Sequence, residues 1–457
     1  LLWYIARFLI WLTIEYPVIG IPLDIVFVVV VILIFRHRAK RRGTPRQRRT
    51  HTRPAPSSAL HRAAAVSAGL DRLRDEDPNF SRPLMLDFVQ LLYTRAHEHR
   101  GSGELDNLAP YLSPAVRKQL GQGESLGQLT AVDRVVVGAS RVVEVGGWGG
   151  PHRALTVEFE ANYTERMGEG KGSRESTLYA HERWIFRRRA GVLSRGPEAI
   201  TELRCPSCGA AVELRPDGTC PYCKNVVDRG DFHWVVAAVQ VLARRPRTRA
   251  ELKLTGGVEM GTQLSTVVQP GLGAELRALK MRDPSFDLQA FKDHVLRAFS
   301  DLQQAWTTLE WDRARAHETD HLFATHRFWI EQYRAEGLRN VLERIEPGRI
   351  ELAKVEQDAY YDAITVRLFA SMIDYVADQQ GGLVSGSRSK PRVFSEYWTF
   401  IRQAGKSSTE RGEPEGCPSC GAPLKVSQAG ICEYCETKVV TGEFGWVLTA
   451  IEQDEVY

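Results

Sequence analysis

All eight cysteines of this chain stand in two groups of four, and the two groups share one internal spacing. Cys205, Cys208, Cys220 and Cys223 recur 212 positions later as Cys417, Cys420, Cys432 and Cys435, with none left over. Each group is two Cys-x-x-Cys pairs with eleven residues between them. Two such knuckles can place four thiolates around one tetrahedral ion, each sulfur about 2.3 Å from zinc. The expectation is therefore two structural zinc ions per chain; the ligands alone leave iron open. A disulfide framework is the competing reading, but it belongs to small secreted domains, whereas these cysteines cluster within 457 residues. A thioredoxin-like redox site would need one pair near a strand-to-helix turn, not two pairs in register.

The repeat extends beyond the cysteines. One block opens at Asp77-Pro78-Asn79-Phe80 and the other at Asp283-Pro284-Ser285-Phe286. Leu84, Phe88, Leu91 and Leu92, and then Phe291, Val295, Phe299, Leu302 and Trp306, recur at helical spacing and mark core faces. Leu155, Val157, Phe159, Ala161 and Tyr163 alternate with polar residues as a half-buried antiparallel strand does, and Ile364, Val366, Leu368, Ala370 and Met372 share one face of another. In that second strand Phe369 and Ile373 predict that the opposite face is also partly covered. Glu182-Arg183-Trp184-Ile185-Phe186 and Glu396-Tyr397-Trp398-Thr399-Phe400 read as the strands that close each sheet. Helices first and an antiparallel sheet afterwards is an α+β arrangement.

The first 62 residues differ in kind from the rest. Pro17 to Phe35 is apolar apart from Asp24, and a helix over about 16–35 is long enough to cross a hydrocarbon core of about 30 Å. Residues 36–62 then hold ten Lys or Arg and no acid. Such a loop beside a span stays cytoplasmic, so a single-pass protein of a bacterial inner membrane is expected, with everything after residue 36 in a reducing compartment. Arg36, Arg38, Lys40, Arg41 and Arg42 are the candidate contacts to anionic lipid headgroups. Removing those ten charges and the net −1 of residues 1–35 from the formal +4 leaves −5 over residues 63–457, which argues against a nucleic-acid partner. The chain opens on Leu1 without an initiator Met, so upstream sequence is expected.

The order Asp283-Pro284-Ser285-Phe286, helix, strands, then Glu396-Tyr397-Trp398-Thr399-Phe400-Ile401-Arg402 resembles the first and last signatures of the Tim44-like family, with a weaker copy over Asp77 to Arg188. The resemblance implies a fold similar to nuclear transport factor two, a cone of helices on a curved sheet around an apolar pocket. It also implies association with an inner membrane and its lipid; in mitochondria the family tethers the import motor, and bacterial relatives often carry a span. Two blocks, an integral anchor and cysteine ribbons depart from the mitochondrial pattern, so membrane tethering and pocket binding carry over and motor recruitment does not.

Other candidates for chemistry are few. His317-Glu318-Thr319-Asp320-His321 fits His-Glu-x-x-His, in which His317 and His321 one helical turn apart bind zinc and Glu318 activates water, with His326 or Glu331 as nearby third ligands. The charged surroundings argue against a catalytic metal helix, which is normally packed and apolar around its ligands, and the resemblance places the segment in an ordinary surface helix. His97-Glu98-His99 and Asp71 to Asp77 read as solvated, the latter as a helix start. The glycine clusters at 146–150 and 271–273 lack the context of a phosphate loop.

The chain is thus expected to comprise a membrane anchor (1–35), a basic Pro/Arg-rich linker (36–70), a first α+β domain (71–195), a zinc ribbon (200–240), a linker (241–280), a second domain (281–405) and a second ribbon (412–457). The expected function is a membrane-anchored, non-enzymatic binding and tethering protein whose pocketed α+β domains bind lipid, an apolar ligand or a protein segment at the inner-membrane surface, with anionic lipid and a membrane protein complex as the expected partners. A membrane-anchored metallopeptidase and a nucleic-acid-binding ribbon protein are the alternatives.

Overall fold

The computed structural model describes residues 56–121, 129–168, 173–197, 203–211, 214–215, 217–246, 259, 261–407, 417, 420, 422, 432–436 and 440–454. The expected span and the basic residues Arg36, Arg38, Lys40, Arg41 and Arg42 lie outside them. Among the described residues no helix is long and apolar enough to cross a membrane. The chain divides into two compact units, 1–59 and 60–457, and the second holds both sheets and both cysteine groups.

Two α+β blocks follow one plan. The first has α1 (Pro56–Glu76), α2 (Arg82–Ser102), a 3₁₀ turn (Leu105–Leu108), α3 (Pro114–Gly121) and then β1 (Leu129–Gly146), β2 (His152–Met167), β3 (Arg174–Arg189) and β4 (Val235–Pro246). The second has α4 (Leu272–Arg282), α5 (Leu288–Thr308), a 3₁₀ turn (Trp311–His317), α6 (Asp320–Ala335), β5 (Leu338–Gln357), β6 (Tyr361–Asp378), the short β7 (Leu383–Gly386), β8 (Arg392–Gln403) and β9 (Val447–Gln453). The sheets are antiparallel, ordered β1-β2-β3-β4 and β5-β6-β8-β9, with β7 paired to β6. The edge strands β1 and β5 each carry a bulge beside a non-glycine residue at positive φ, Arg134 and Arg344, and such bulges bend a strand.

The long helices start at side-chain caps that hold otherwise unpaired N–H groups. Ser81 accepts from Leu84 N at 3.4 Å and Asp287 from Ala290 N at 2.7 Å. Their apolar faces then meet the concave side of each sheet. Phe88, Leu92 and Tyr93 pack with Val157, Phe159, Trp184 and Phe186; Phe291, Val295 and Phe299 pack with Val366, Leu368, Trp398 and Phe400. Trp184 and Trp398 are fully buried, each donating Nε1–H to the Glu two residues earlier, at 2.8 and 3.1 Å. The sheet face that the family resemblance places around a pocket carries buried side chains in both blocks.

The covered outer face of β6 has a local cause. The segment from Gly261 to Gln269 runs across it, and buried Arg367 donates to the carbonyls of Gly261 (2.9 Å) and Leu264 (2.7 Å) while pairing with Asp454 at 3.0 Å. Phe369 and Ile373 are consequently buried.

Three expectations need correction. Asp71 to Asp77 ends a helix rather than starting one, and Asp77 is buried. His97 is buried too, against Glu182, because it lies on the face of α2 that carries Tyr93. The Trp-containing strands do not close their sheets either. A further strand, β4 or β9, returns after each cysteine group and pairs with them.

The same buried clamp closes both blocks. Arg188 reaches Asp77 at 2.7 Å and lies over Trp234 at 4.5 Å; Arg402 reaches Asp283 at 2.7 Å and lies over Trp446 at 4.6 Å. Each clamp ties the corner before the long helix to the end of the third strand and the start of the last.

The blocks also pack on one another. Arg74 pairs with Glu356 at 3.1 Å, Thr325 donates to the Val137 carbonyl at 2.7 Å, and Tyr361 and Ile401 of the second block join the first core. His321 of α6 contacts Asp87 of α2 through Nδ1 and the Thr449 carbonyl through Nε2 at 2.7 Å.

These contacts have measurable consequences. Breaking one partner of a buried ion pair costs about 3–5 kcal/mol, so Asp77→Ala should lower stability to urea by that order, while replacing Asp77 and Arg188 together by Leu and Met should cost less. Burial alone would lower the His321 pKa, but Asp87, the Thr449 carbonyl and Asp320 raise it above its ordinary value. Its stabilisation is then complete below about pH 6.5 and is lost as pH rises through the raised value. Thermal melts of wild type should fall over that interval relative to melts of His321→Gln.

Candidate metal centres

Each cysteine group is an insertion between the third and last strands of its sheet, not a domain appended after it. Expected boundaries at 195 and 405 therefore cut through what the structure shows as continuous sheets running to Pro246 and Gln453. The excursion is held at its return. Arg189 N donates to Gly230 O and Gln403 N to Gly442 O, both at 2.8 Å. Gly230 and Gly442 have φ of 87° and 79°, and a Cβ on Gly230 would lie 2.9 Å from the Arg187 carbonyl, so glycine is required at this turn. At the entrance of the first insertion Tyr111 donates to the Arg204 carbonyl at 2.5 Å.

Within the first insertion two tight turns present the sulfurs. Gly209 N donates to Cys205 O at 2.9 Å and Lys224 N to Cys220 O at 3.0 Å; in the second, Glu436 N donates to Cys432 O at 3.0 Å. Lys224 and Glu436 occupy the same left-handed position, φ 64° and 59°, 212 residues apart. Cys205, Cys220, Cys417 and Cys432 are buried, Cys208 and Cys420 exposed. Val227, Leu214 and Phe232 pack around the first group, Val440 and Phe444 around the second.

The sulfur geometry tests the metal reading. Cys205–Cys223 and Cys208–Cys220 are 3.9 Å apart, Cys417–Cys435 3.8 Å and Cys420–Cys432 4.0 Å. A disulfide needs about 2.05 Å. A tetrahedron with 2.3 Å metal–sulfur bonds has edges of about 3.8 Å. The donor set thus fits one four-coordinate ion per group. Burial pushes the Cys205 thiol up to about 12, whereas the Asn225 backbone draws Cys223 down to about 6; a bound divalent cation would supply the charge that holds all four as thiolates.

The His-Glu-x-x-His segment is arranged differently from a metal helix. His317 ends a 3₁₀ turn, Glu318 is extended (φ −120°, ψ 143°), and α6 begins only at Asp320, so His317 and His321 do not lie one turn apart on a common helix. His317 Nε2 faces Asp301 at 2.8 Å, and the His321 ring is held between Asp87 and Thr449. Glu318 is fully buried, against the expectation of a surface helix, and contacts His326 Nδ1 at 2.6 Å. Glu331 is 3.4 Å from Arg327. Among the described residues, the groups of His, Cys, Asp and Glu whose ligand atoms converge are the two cysteine quartets.

Sequence reasoning missed the clamp partners Arg188 and Arg402, although Asp-Pro-x-Phe and Trp-x-Phe-x-Arg were both visible. A buried Arg reads as a surface charge until its partner is known. A small open cleft lies beside the first clamp, lined by Asn79, Phe80, Leu84, Arg195 and His233 among others.

No curated protein matches the chain. Among solved structures, a chain described as "Ntf2 like protein involved in plasmid conjugation" aligns over 80% of this chain and 94% of its own at 8% identity and a TM-score of 0.20, a likeness too loose to carry an argument. Residues 272–411 match the family model described as a Tim44-like domain; residues 71–195 and both cysteine quartets lie outside the match.

Proposed function

We propose that this chain is a non-enzymatic tethering protein: a membrane-held platform of two fused α+β blocks, each stapled by one zinc ion. The Tim44-like match over 272–411 supports a binding role rather than a catalytic one. The single observation that carries the zinc assignment is the convergence of four sulfurs in each quartet, all within 4.8 Å of one another and two pairs of them 3.8–4.0 Å apart.

The buried side chains on the inner sheet faces favour partner binding on the outside of the platform over a deep apolar pocket. Fixed contacts between the blocks favour a rigid scaffold, since Asp87–His321 and Arg74–Glu356 join elements more than 200 positions apart. The apolar stretch at 16–35 supplies the anchor, and Arg36, Arg38, Lys40, Arg41 and Arg42 supply attraction to anionic headgroups at about 1 kcal/mol each. Catalysis at His317, Glu318 and His321 has no convergent geometry in its favour.

The purified full chain should hold two zinc ions by elemental analysis, falling to one in Cys220→Ser and in Cys432→Ser. In vesicles it should resist carbonate extraction, and its co-purifying anionic lipid should fall when the five basic residues become Gln. A folded, metal-free preparation, or one released from vesicles by carbonate, would contradict the respective half of the reading.

A further inference from the structure

The small cleft beside the first clamp gathers positive charge that no carboxylate answers. Arg195, His233 and Trp234 line it together with Phe80 and Leu84. Asp77 of the clamp is already satisfied, since it accepts from Arg188 at 2.7 Å, from Ser194 N at 3.0 Å, from Ser194 Oγ at 2.6 Å and from Asn79 N at 3.1 Å. Among the described residues Arg195 has neither a hydrogen bond nor an ion pair. The loop that carries it is nevertheless fixed, because the neighbouring Ser194 is bound to Asp77 twice and accepts from Asn79 Nδ2 at 3.4 Å. A ligand that meets this guanidinium does not have to order the backbone beneath it.

Two buried side chains bring nitrogen atoms to the same cleft. His233 is 7% exposed and Trp234 2%, and neither His233 Nδ1 nor Trp234 Nε1 meets a hydrogen-bond partner. The indole of Trp446, the counterpart of Trp234 in the second block, is unpartnered as well, so Trp234 alone marks nothing. His233 does, because its counterpart 212 positions on is Gly445. The second block thus completes its clamp without an imidazole, and the fold itself does not require one. A buried polar group kept in one copy only is a place where local rules yield to function.

The chemistry of the ligand follows from what these groups can give. Burial, and after it the charges of Arg188 and Arg195, push the His233 pKa down to about 3, so the ring is neutral and has one N–H to donate. Trp234 has one more. Ser81 and Leu84, also at the cleft, belong to the first turn of α2, where the helix dipole favours negative charge. The planar fork of Arg195 matches the two oxygens of a carboxylate. Arg195 adds one uncompensated charge, so a monoanion balances it, whereas a dianion would leave a charge unpaired beside Asp77. Phe80 and Leu84 border the cleft with apolar surface.

We propose that this cleft is an anion site for a small monocarboxylate, of which acetate is the simplest, its oxygens shared between the Arg195 guanidinium and the N–H groups of Trp234 and His233. Charge, not apolar surface, selects the ligand. The site belongs to the first block alone and is independent of membrane tethering.

The test titrates the full chain with acetate by calorimetry, at an ionic strength held constant with chloride. The expected result is saturable binding that acetamide, the neutral compound of the same shape, does not show and that sulfate does not displace. Arg195→Gln should bind acetate at least tenfold more weakly. Because Arg195 has no partner to lose, the same variant should melt at the wild-type temperature without acetate, and acetate should raise the melting temperature of wild type but not of the variant. Absence of saturable acetate binding, equal binding of acetamide, displacement by sulfate at equal concentration, or unchanged affinity in Arg195→Gln overturns the proposal.

Discussion

Two buried guanidinium groups hold this molecule's architecture together. Arg188 and Arg402 each join an Asp at a helix corner, the last turn of a central strand and a Trp from a strand that arrives some forty residues later. Removing a guanidinium from water is expensive, and the expense is met only where carboxylate and ring are both in place. The clamp therefore forms only in the assembled block. It couples helix docking to completion of the sheet, and its presence in both copies makes it a property of the fold rather than of one site.

The plan of the fold was legible because it is written in periodicities and repeats. Alternation in β2, helical spacing in α2 and α5, and the constant offset of the cysteines all survive in three dimensions. What was not legible depends on partners distant in sequence. Nothing near His97 announces Glu182, eighty-five residues away, and the likeness of His317-Glu318-Thr319-Asp320-His321 to a metal helix dissolves because the helix begins inside the motif. The position of the last strand was also hidden. A sheet that looks finished at Trp184 or Trp398 gains its final strand only after an insertion, and short apolar runs such as Val235-Val236 carry too little pattern to reveal that.

The two blocks share geometry but have separated in what they bury and cover. The outer face of the second sheet lies under its own chain, pinned by Arg367. At the matching position, the outer face of the first presents Glu158 in ion pairs with Arg183 and His181. Inside, the difference runs the other way, with Tyr93, His97 and Tyr163 against Phe299, Gln303 and Met372. Duplication relaxes the constraint on each copy.

The insertion of a ribbon before the last strand has its own physical logic. Between Arg189 and Val235 the chain must leave the sheet and return in register, and closing a loop of that length costs conformational entropy. A tetrahedral ion held by each cysteine group would divide the excursion into short loops whose turns are individually inexpensive. The start of the returning strand is then covered at its outer edge: Val236 exchanges bonds with Tyr111 and Ser113, and Leu448 accepts from Thr319. The cysteine groups thus lie close to the step that finishes each sheet. Their duplication follows from the duplication of that step, because neither block can place its last Trp against its Arg without the return that the ribbon organises.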